Sequence, residues 1–445
     1  MILHPMPDKK LIYVTHAYPG DLYSEKVFVD AELPELRRHF SEIVLVPSDP
    51  CGRSMDYESS LPEGVTADWS LVDVPIYHSR LRKLIYAFHP FTLRALAGMI
   101  GEARSPRQWL KGMFQAINAV RAAQIVRKIA KRRNMTPDDT VLFSMWFHDP
   151  AAGLARLALK DGWKMASHAH TSDIFDDRML FRSRKLRARL LKGVSYVFTI
   201  SRNGRDYMRK RFPEASSRII HHPIGSTHIS DPDNRQLRQN SDETNQTVSF
   251  TTVARLDPIK CLDIAMDVLD DLAMSLPDKK LRWTIIGDGT CLEALRRQSE
   301  NLKSGNLEVI FTGALDNADL QREYDSNTPD WYLMMSRSEG LPVSMGEAMS
   351  HSIPVITTDV GDISELVTPE CALLMPPPFA TYGTNTRPGE THTPIKTYVD
   401  LIRPLITDSK RHDAMARAAR LRWETLFDAT RLSAETARLL AGLLP

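Results

Sequence analysis

Residues 336–367 read SRSEGLPVSMGEAMSHSIPVITTDVGDISELV and carry the most informative pattern of the chain. Pro342 disfavours helical geometry at the residue before it, so Glu339 is predicted to lie on a loop and a helix to begin at about Pro342. Glu347 then falls in the second turn of that helix. The pattern therefore places a loop carboxylate and a helix carboxylate on either side of the free N–H groups at a helix start.

These two carboxylates indicate what kind of anion the helix start would bind. Free N–H groups and the positive end of a helix dipole form an anion site that suits a phosphate. Carboxylates beside a phosphate would repel it unless they accept hydrogen bonds from hydroxyl groups. Glu339 and Glu347 therefore indicate a phosphate bonded to polyols, which is the chemistry of a nucleotide sugar.

A second stretch, TVSFTTVARLDPIKCLDIAMDVL (247–269), favours the same ligand. Asp257 and the proline after it predict an N-cap and the first position of a helix. Lys260 would then lie in the first turn, where the helix dipole disfavours a cation, and Arg255 on the loop before it. Two cations at the carboxyl end of a strand favour a bound anion, because ligands of open α/β sheets bind there. Pairing of these cations with Asp257 or Asp263 is the alternative.

Short apolar runs alternate with helical patterns along the whole chain, which predicts an α/β fold with two doubly wound domains. The predicted strands of the first half are KLIYVT (10–15), EIVLVP (42–47), TVLFSMW (140–146), KMASHAH (164–170) and YVFTIS (196–201). A helix between the first two is predicted from the spacing of Val27, Ala31, Leu36 and Phe40.

A polar stretch between Ile219 and Gln246 has the composition of a solvated connector, and the alternation of strands and helices restarts after it. The expected division is an N-terminal domain over 1–229, a linker over 230–246, a C-terminal domain over 247–424 and a helical tail over 425–445. A Pro-, Thr- and Gly-rich stretch over 376–394 is expected to form a long loop or insertion.

Length and composition exclude several classes of protein. A chain of 445 residues, with 42% hydrophobic and 25% charged residues, is expected to form two large globular domains rather than one small module or a disordered chain. Its 57 basic and 55 acidic residues give no support for a general nucleic-acid binder. No signal-peptide pattern or membrane-length apolar run occurs, and the four cysteines have no metal-ligand or redox spacing, so a cytoplasmic location is expected. They are Cys51, Cys261, Cys291 and Cys371.

The positive charge is concentrated in two segments of the N-terminal half. Between Arg80 and Arg133 thirteen basic residues stand against one acid, Glu102, and between Arg182 and Arg211 eleven stand against one. Apolar residues interrupt the first segment, which is typical of helices that rest on an anionic membrane surface. They are Leu81, Leu84, Ile85, Phe88, Phe91, Trp109, Leu110, Met113 and Phe114. Solvated helix faces balanced by acids elsewhere are the alternative.

The motifs together resemble the retaining nucleotide-sugar glycosyltransferases of family 4, most closely the members that build exopolysaccharides. SEGLPVSMGEAM and IPVITTDVG resemble the family's paired-glutamate motif, VARLDPIKCLD its basic diphosphate-binding segment, and VIFTGAL the stretch that lies against the nucleobase. AYPGDLYSEKVFVDAEL and SHAHTSDIFDDR resemble two N-terminal motifs. The resemblance implies the GT-B fold, in which two Rossmann-like domains face each other across an interdomain cleft.

The resemblance also implies roles for individual residues. Arg255 and Lys260 would hold the donor diphosphate, Glu339 would contact the transferred sugar, and Glu347 would bind the ribose diol. The remaining donor-binding positions would be Gly20, Gly287, Gly289, Thr312, Leu315, Gly340, Leu341, Pro342 and Val343.

Three N-terminal residues receive roles in the same way. His170, with Asp173, would face the reacting carbon and complete the catalytic set, although a core histidine is the alternative. Glu25 would lie on the acceptor side. The sequence departs from the family at Thr171 and Ser352, each in place of a usual glycine. It also departs at Asp362, where a second glycine is common.

The implied reaction is transfer of a hexosyl group with retention of configuration. Fixed cations and a helix start would stabilise the departing diphosphate, so neither a metal nor a cofactor is expected. The substrates would be a UDP or GDP sugar and a saccharide or polyisoprenoid-linked acceptor. The protein would act in cell-surface polysaccharide synthesis, in the cytoplasm or peripherally on the inner membrane face.

Three other functions were weighed. A dehydrogenase is disfavoured because no Gly-x-Gly-x-x-Gly follows the first strand and the Gly287-Asp288-Gly289 run is too short to replace it. A non-catalytic GT-B scaffold in a polysaccharide assembly complex is disfavoured by the intact Glu pair and cations. A nucleotide-sugar epimerase of the same fold stays open.

Overall fold

The computed structural model describes residues 8–20, 23–49, 53, 58–73, 85–176, 183–227, 247–379 and 393–445. The chain divides into two units, of which the first is Met1–Ile224 together with Ala429–Pro445 and the second is Gly225–Asp428. Each unit is an α/β domain built around one parallel sheet, and the predicted fold class is therefore confirmed.

The first unit contains a seven-stranded sheet with the order β3-β2-β1-β4-β5-β6-β7. The strand order reverses between β1 and β4, which pair in parallel. Such a reversal opens a crevice at the carboxyl ends of the two strands. The strands are β1 (Lys10–Thr15), β2 (Glu42–Pro47), β3 (Val65–Ala67), β4 (Thr140–Ser144), β5 (Lys164–Ala169), β6 (Tyr196–Thr199) and β7 (Ile219–His221).

Among the described residues, eight helices belong to the first unit before the chain enters the second. Pro106 begins the longest one, where Ser105 accepts a hydrogen bond from the Gln108 N–H and so caps the helix. The helices are α1 (Tyr23–Arg37), α2 (Ser70–Asp73), α3 (Pro90–Gly98), α4 (Pro106–Arg132), α5 (Asp149–Asp161), α6 (Thr171–Ile174), α7 (Arg184–Leu191) and α8 (Arg202–Arg211). A 3-10 helix follows over Pro213–Arg218.

The second unit contains a six-stranded sheet with the order β10-β9-β8-β11-β12-β13. Its strand order reverses between β8 and β11, which also pair in parallel. The strands are β8 (Thr247–Val253), β9 (Lys280–Ile286), β10 (Leu307–Gly313), β11 (Trp331–Met334), β12 (Val355–Thr358) and β13 (Ala372–Met375).

In the part of the second unit that the structure describes there are seven helices, and the last helix of the chain belongs to the first unit, where it packs on α1. None of the described helices is long and apolar enough to cross a bilayer. The helices are α9 (Leu262–Met274), α10 (Leu292–Ser299), α11 (Asn317–Ser326), α12 (Val343–Ser350), α13 (Ile363–Leu366), α14 (Ile395–Ile406), α15 (Ser409–Leu426) and α16 (Ala429–Ala441).

All five predicted strands of the first half form, because their apolar runs are buried on both faces of a parallel sheet. Three strands were missed: β3, β7 and β13. Each has only three or four residues, which is too short for a periodic signal.

The predicted apolar face of α1 was partly wrong. Val27 and Ala31 are half-exposed, whereas Val29 and Leu33 are buried. The buried face also contains Glu25 and the carboxylate of Glu32, which accepts a hydrogen bond from the Tyr13 hydroxyl at 2.6 Å. These buried carboxylates belong to the face of α1 that packs on the core. A prediction from apolar residues alone does not include them.

The predicted start of the helix after β8 was also wrong. Asp257 precedes a single 3-10 turn, Pro258–Lys260, and its side chain makes no capping hydrogen bond. Cys261 then takes a left-handed conformation with φ 50°, and α9 begins at Leu262. Lys260 therefore lies in the 3-10 turn that precedes α9 and not in the first turn of that helix.

The cysteines, the predicted connector and the predicted long loop are described only in part. Cys261, Cys291 and Cys371 are free thiols, of which only Cys291 is not fully buried. Cys51, the connector over 230–246 and most of the loop over 376–394 lie outside the described residues.

Candidate active site

Two loops of the second unit meet where its strand order reverses. One follows β8 and contains Arg255 and Lys260, and the other follows β11 and contains Glu339. The N–H of Arg337 donates to the carbonyl of Ile259 at 3.0 Å and joins the loops. The fold therefore brings together cations and a carboxylate that are about eighty positions apart in the sequence.

Lys260 and Glu339 form an ion pair, with 2.6 Å between Nζ and Oε1. Their side chains are only 16% and 10% exposed, so solvent screens the pair weakly. The partner of Lys260 is thus Glu339 and not Asp263. Arg255 is 77% exposed and pairs with Asp257, as the alternative interpretation of the sequence expected.

The start of α12 lies beside this ion pair. Pro342 is the residue before the helix, and Glu347 lies in its second turn, as the sequence predicted. Among the described residues, no group accepts a hydrogen bond from the N–H groups of Gly340, Leu341 or Val343. These half-buried positions therefore present free donors and the positive end of the helix.

A buried tyrosine holds the start of α12 through hydrogen bonds. The Tyr332 hydroxyl donates to the Val253 carbonyl at 3.2 Å and shares a 2.7 Å hydrogen bond with the Ser344 hydroxyl. Burial raises the pKa of Tyr332 above its usual range, and the nearby charges of Glu339 and Glu347 raise it further, so the phenol stays neutral. Tyr332 thereby fixes the first turn of α12 against the end of β8.

Glu347 is buried and bound by a residue that the sequence did not single out. The amide nitrogen of Asn317 donates to Glu347 Oε1 at 2.6 Å, and the Thr227 hydroxyl lies 3.5 Å from the other end of that amide. Burial raises the pKa of Glu347 to about 7, while the Asn317 hydrogen bond acts in the opposite direction. Asn317 lies thirty positions before Glu347, and no spacing rule connects the two.

Two glycines allow the backbones at this site to approach one another. Gly287 has φ 143°, and a Cβ there would lie 1.9 Å from the Ala254 carbonyl oxygen. Gly361 has φ 60°, and a Cβ there would lie 2.0 Å from the Glu339 carbonyl oxygen. Both positions therefore require glycine. Ser352 also has a positive φ, of 60°.

The other predicted donor-binding residues of the second unit lie at the same edge of its sheet. Gly289 packs against Leu256, and the Gly287 N–H donates to the Gly313 carbonyl at 2.8 Å. Thr312 and Leu315 are therefore placed at the carboxyl end of β10, next to the glycine loop after β9.

In the first unit, Glu25 anchors the loop after β1. It is fully buried, and its carboxylate accepts hydrogen bonds from the N–H groups of His16, Ala17 and Tyr18 at 2.6–2.9 Å. The Trp146 indole also donates to it at 3.1 Å. Gly20 lies on the same loop and forms a β-bridge with Arg53. The acceptor role of Glu25 and the donor role of Gly20 stay predictions.

His170 and Asp173 form a compact arrangement after β5. The His170 imidazole Nε2–H donates to the Met145 carbonyl at 3.1 Å, and its ring packs on Trp146 with centroids 4.0 Å apart. Asp173 accepts from the Phe147 N–H at 3.1 Å. Burial lowers the pKa of His170 to about 4, so its ring is neutral at neutral pH. Their role toward the reacting carbon stays a prediction.

Within the described ranges no group of three or more His, Cys, Asp or Glu residues could hold a metal ion. The cations and the helix start at the carboxyl ends of β8 and β11 are suited to binding an anionic ligand.

Comparisons with known proteins cover most of the chain. Residues 247–381 match the family model described as "Glycosyl transferases group 1". The chain is 24% identical over 387 residues to the putative teichuronic acid biosynthesis glycosyltransferase TuaC of Bacillus subtilis, covering 83% of this chain and 86% of that protein. The sulfoquinovosyl transferase SQD2 of Arabidopsis thaliana is 29% identical over 168 residues, which is 38% of this chain and 28% of that protein.

Two solved structures share the architecture. Anabaena HepE in complex with UDP has a TM-score of 0.60 at 16% identity, covering 98% of this chain and 100% of HepE. The sucrose-phosphate synthase of Thermosynechococcus elongatus has a TM-score of 0.64 at 13% identity, covering 98% of this chain and 99% of that one. The comparisons support a glycosyltransferase of the GT-B fold. The matched residues 247–381 contain the loops after β8 and β11 and helix α12.

Replacing Gly361 with alanine tests the close packing under Glu339. The added Cβ overlaps the Glu339 carbonyl, so the loop must shift. We expect a loss of about 1–3 kcal/mol of stability and a much weaker thermal stabilisation by nucleotide diphosphates. Gly305→Ala is the matched control, because nothing lies within 4 Å of a Cβ there. Equal behaviour of the two variants in thermal-shift assays would contradict the packing argument.

Replacing Glu347 with glutamine tests its raised pKa. Folding favours the neutral carboxyl, so the stability contributed by Glu347 is present below pH 4.5 and is lost as the pH rises to about 7. Relative to wild type, Glu347→Gln should gain up to about 3 kcal/mol in the free energy of unfolding between pH 4.5 and pH 8. Melting temperatures of both proteins across this range measure the gain. A difference that does not vary with pH would disprove the raised pKa.

Proposed function

We propose that the protein is a retaining family 4 glycosyltransferase that moves a sugar from a nucleotide diphosphate to a saccharide or polyisoprenoid-linked acceptor. The observation that carries this proposal is the contact of Lys260 with Glu339 beside the free N–H groups at the start of α12. A cation, a helix start and a carboxylate at one strand-order reversal match a diphosphate joined to a polyol.

Donor binding would change the partner of Lys260. The ammonium group now faces the Glu339 carboxylate, and a diphosphate would replace that carboxylate as its counter-ion. Glu339 would then be free to accept hydrogen bonds from the sugar hydroxyls. Arg255, which is exposed and pairs only locally with Asp257, would turn toward the second phosphate.

The departing diphosphate gains negative charge as the bond to the sugar breaks. Lys260, Arg255 and the N–H groups of α12 would stabilise this charge without a metal. The leaving phosphate oxygen would accept the proton of the acceptor hydroxyl as the new glycosidic bond forms on the same face of the sugar. His170 is neutral, so it would act as a hydrogen-bonding group and not as a cation.

A uridine diphosphate sugar is the first donor to test, with a guanosine diphosphate sugar as the second. Solved structures of HepE hold UDP and UDP-glucose. Glu347 would accept hydrogen bonds from the ribose diol, with Asn317 holding its carboxylate in place. Thr312 and Leu315 would lie against the base.

We further propose that the product enters a cell-surface polysaccharide and that transfer occurs at the inner face of the membrane. TuaC, a relative over 83% of this chain, is described as a teichuronic acid biosynthesis glycosyltransferase. The basic segments of the first unit favour the same location.

Substitutions of the two cations test the diphosphate assignment. Lys260→Gln and Arg255→Gln should each lower kcat/KM by about a hundredfold or more, because each removes a charge that stabilises the leaving group. Arg282→Gln is the matched control, since Arg282 is an exposed arginine in a surface pair with Glu308. The assay supplies a panel of nucleotide sugars and acceptors, with mass analysis of the products.

Circular dichroism shows whether each variant is folded. Near-normal transfer by folded Lys260→Gln and Arg255→Gln variants would disprove the diphosphate site. An altered free nucleotide sugar without an acceptor-linked product would identify an epimerase instead.

A further inference from the structure

The first unit exposes apolar side chains that the proposed transfer reaction does not use. Among the described residues, ten large apolar side chains are exposed, and six of them lie within residues 85–114. Soluble proteins usually scatter such residues singly, so a cluster indicates a binding surface. The six are Ile85, Phe88, Leu93, Ile100, Leu110 and Phe114, with exposed fractions from 37% to 69%. We name this set the apolar surface.

Two packed helices form the scaffold of the apolar surface. Leu93 lies on α3 and Ile100 just after the end of that helix, whereas Leu110 and Phe114 are four positions apart on α4 and so share one face. Between them lies an open groove of about 720 Å³ whose lining includes Trp109. Leu96 of α3 and Leu110 of α4 both line it, so the groove joins apolar side chains of the two helices.

Basic residues surround the apolar surface and have no acidic counterpart there. Arg94, Arg104 and Arg107 are exposed, and no described acid forms an ion pair with them. Glu102 is the sole acid of the segment, and its carboxylate accepts hydrogen bonds from the Ser183 hydroxyl at 2.5 Å and the Lys185 N–H at 3.2 Å. That carboxylate is therefore already engaged at the start of α7.

The other end of α4 behaves differently. Arg127 pairs with Asp161, Arg132 pairs with Asp68 at 2.9 Å, and the residue after it, Arg133, pairs with Glu42 at 2.8 Å. These three arginines are balanced by acids, as the alternative interpretation of the sequence expects. Along residues 94–114, by contrast, Arg94, Arg104 and Arg107 lie among exposed apolar side chains and form no ion pair with a described acid.

We propose that the apolar surface docks the protein on an anionic lipid bilayer. The apolar side chains would enter the boundary between headgroups and acyl chains, while the arginines contact the lipid phosphates. A second copy of the chain is a poorer occupant, because self-pairing would bring like charges together. The inference rests on the proposed function in one respect: docking on a bilayer would bring the protein to a lipid-linked acceptor.

Sedimentation of the full chain with vesicles tests this docking. The vesicles contain phosphatidylcholine with or without phosphatidylglycerol, at low and at high salt. We expect binding to the anionic vesicles that weakens with salt. Arg104→Gln and Arg107→Gln should each lower the partition coefficient about fivefold, as expected for one charge near an anionic surface. The triple variant Phe88→Ser/Ile100→Ser/Leu110→Ser should lower it at least as much.

A matched control is Leu421→Ser, because Leu421 is 65% exposed on α15 of the second unit. Wild-type binding to anionic vesicles that survives in Leu421→Ser and is lost in the triple variant supports the docking surface. The proposal is overturned by absence of binding, by equal loss in the control, or by a wild-type dimer that the triple variant dissociates. Thermal stabilisation by UDP, measured on the same variants, reports separately on the proposed function.

Discussion

The ion pair between Lys260 and Glu339 is the constraint on which the rest of the candidate site depends. Two side chains with opposite charges lie 2.6 Å apart and are largely shielded from water. Removing one partner of such a pair costs about 3–5 kcal/mol, because the other charge stays buried without compensation. The pair therefore holds the loops after β8 and β11 together, and in the proposed reaction a diphosphate would replace the carboxylate.

The surrounding residues keep this pair beside the start of α12. Tyr332 joins the end of β8 to the first turn of the helix, and Gly361 lets its backbone touch the Glu339 loop. Asn317 fixes Glu347 on the other side of the helix start. In a site preorganised in this way, ordering of the side chains reduces the binding free energy only slightly.

Much of the fold could be predicted from the sequence, because buried parallel strands are continuous apolar runs. The runs at Lys10–Thr15 and Glu42–Pro47 form strands with the expected bounds. Glu339 and Glu347 were placed correctly relative to their helix, since Pro342 imposes a local steric constraint.

The errors arose where buried polar groups or distant contacts decide the structure. Because Glu25 and Glu32 are buried, the face of α1 that packs on the core differs from the face that hydropathy predicts. Cys261 has a left-handed backbone conformation, so α9 begins only after Lys260. A residue other than glycine gives no sequence signal for that conformation. Asn317 was missed because its contact with Glu347 depends on the packing of two separate helices.

Hydrogen–deuterium exchange with and without UDP tests the central claim most directly. Binding at the Lys260–Glu339 pair predicts slower exchange in residues 254–261 and 338–347, where free N–H groups acquire a partner. The Lys260→Gln variant should lose that protection. Protection confined to other segments, or its persistence in Lys260→Gln, would contradict the account.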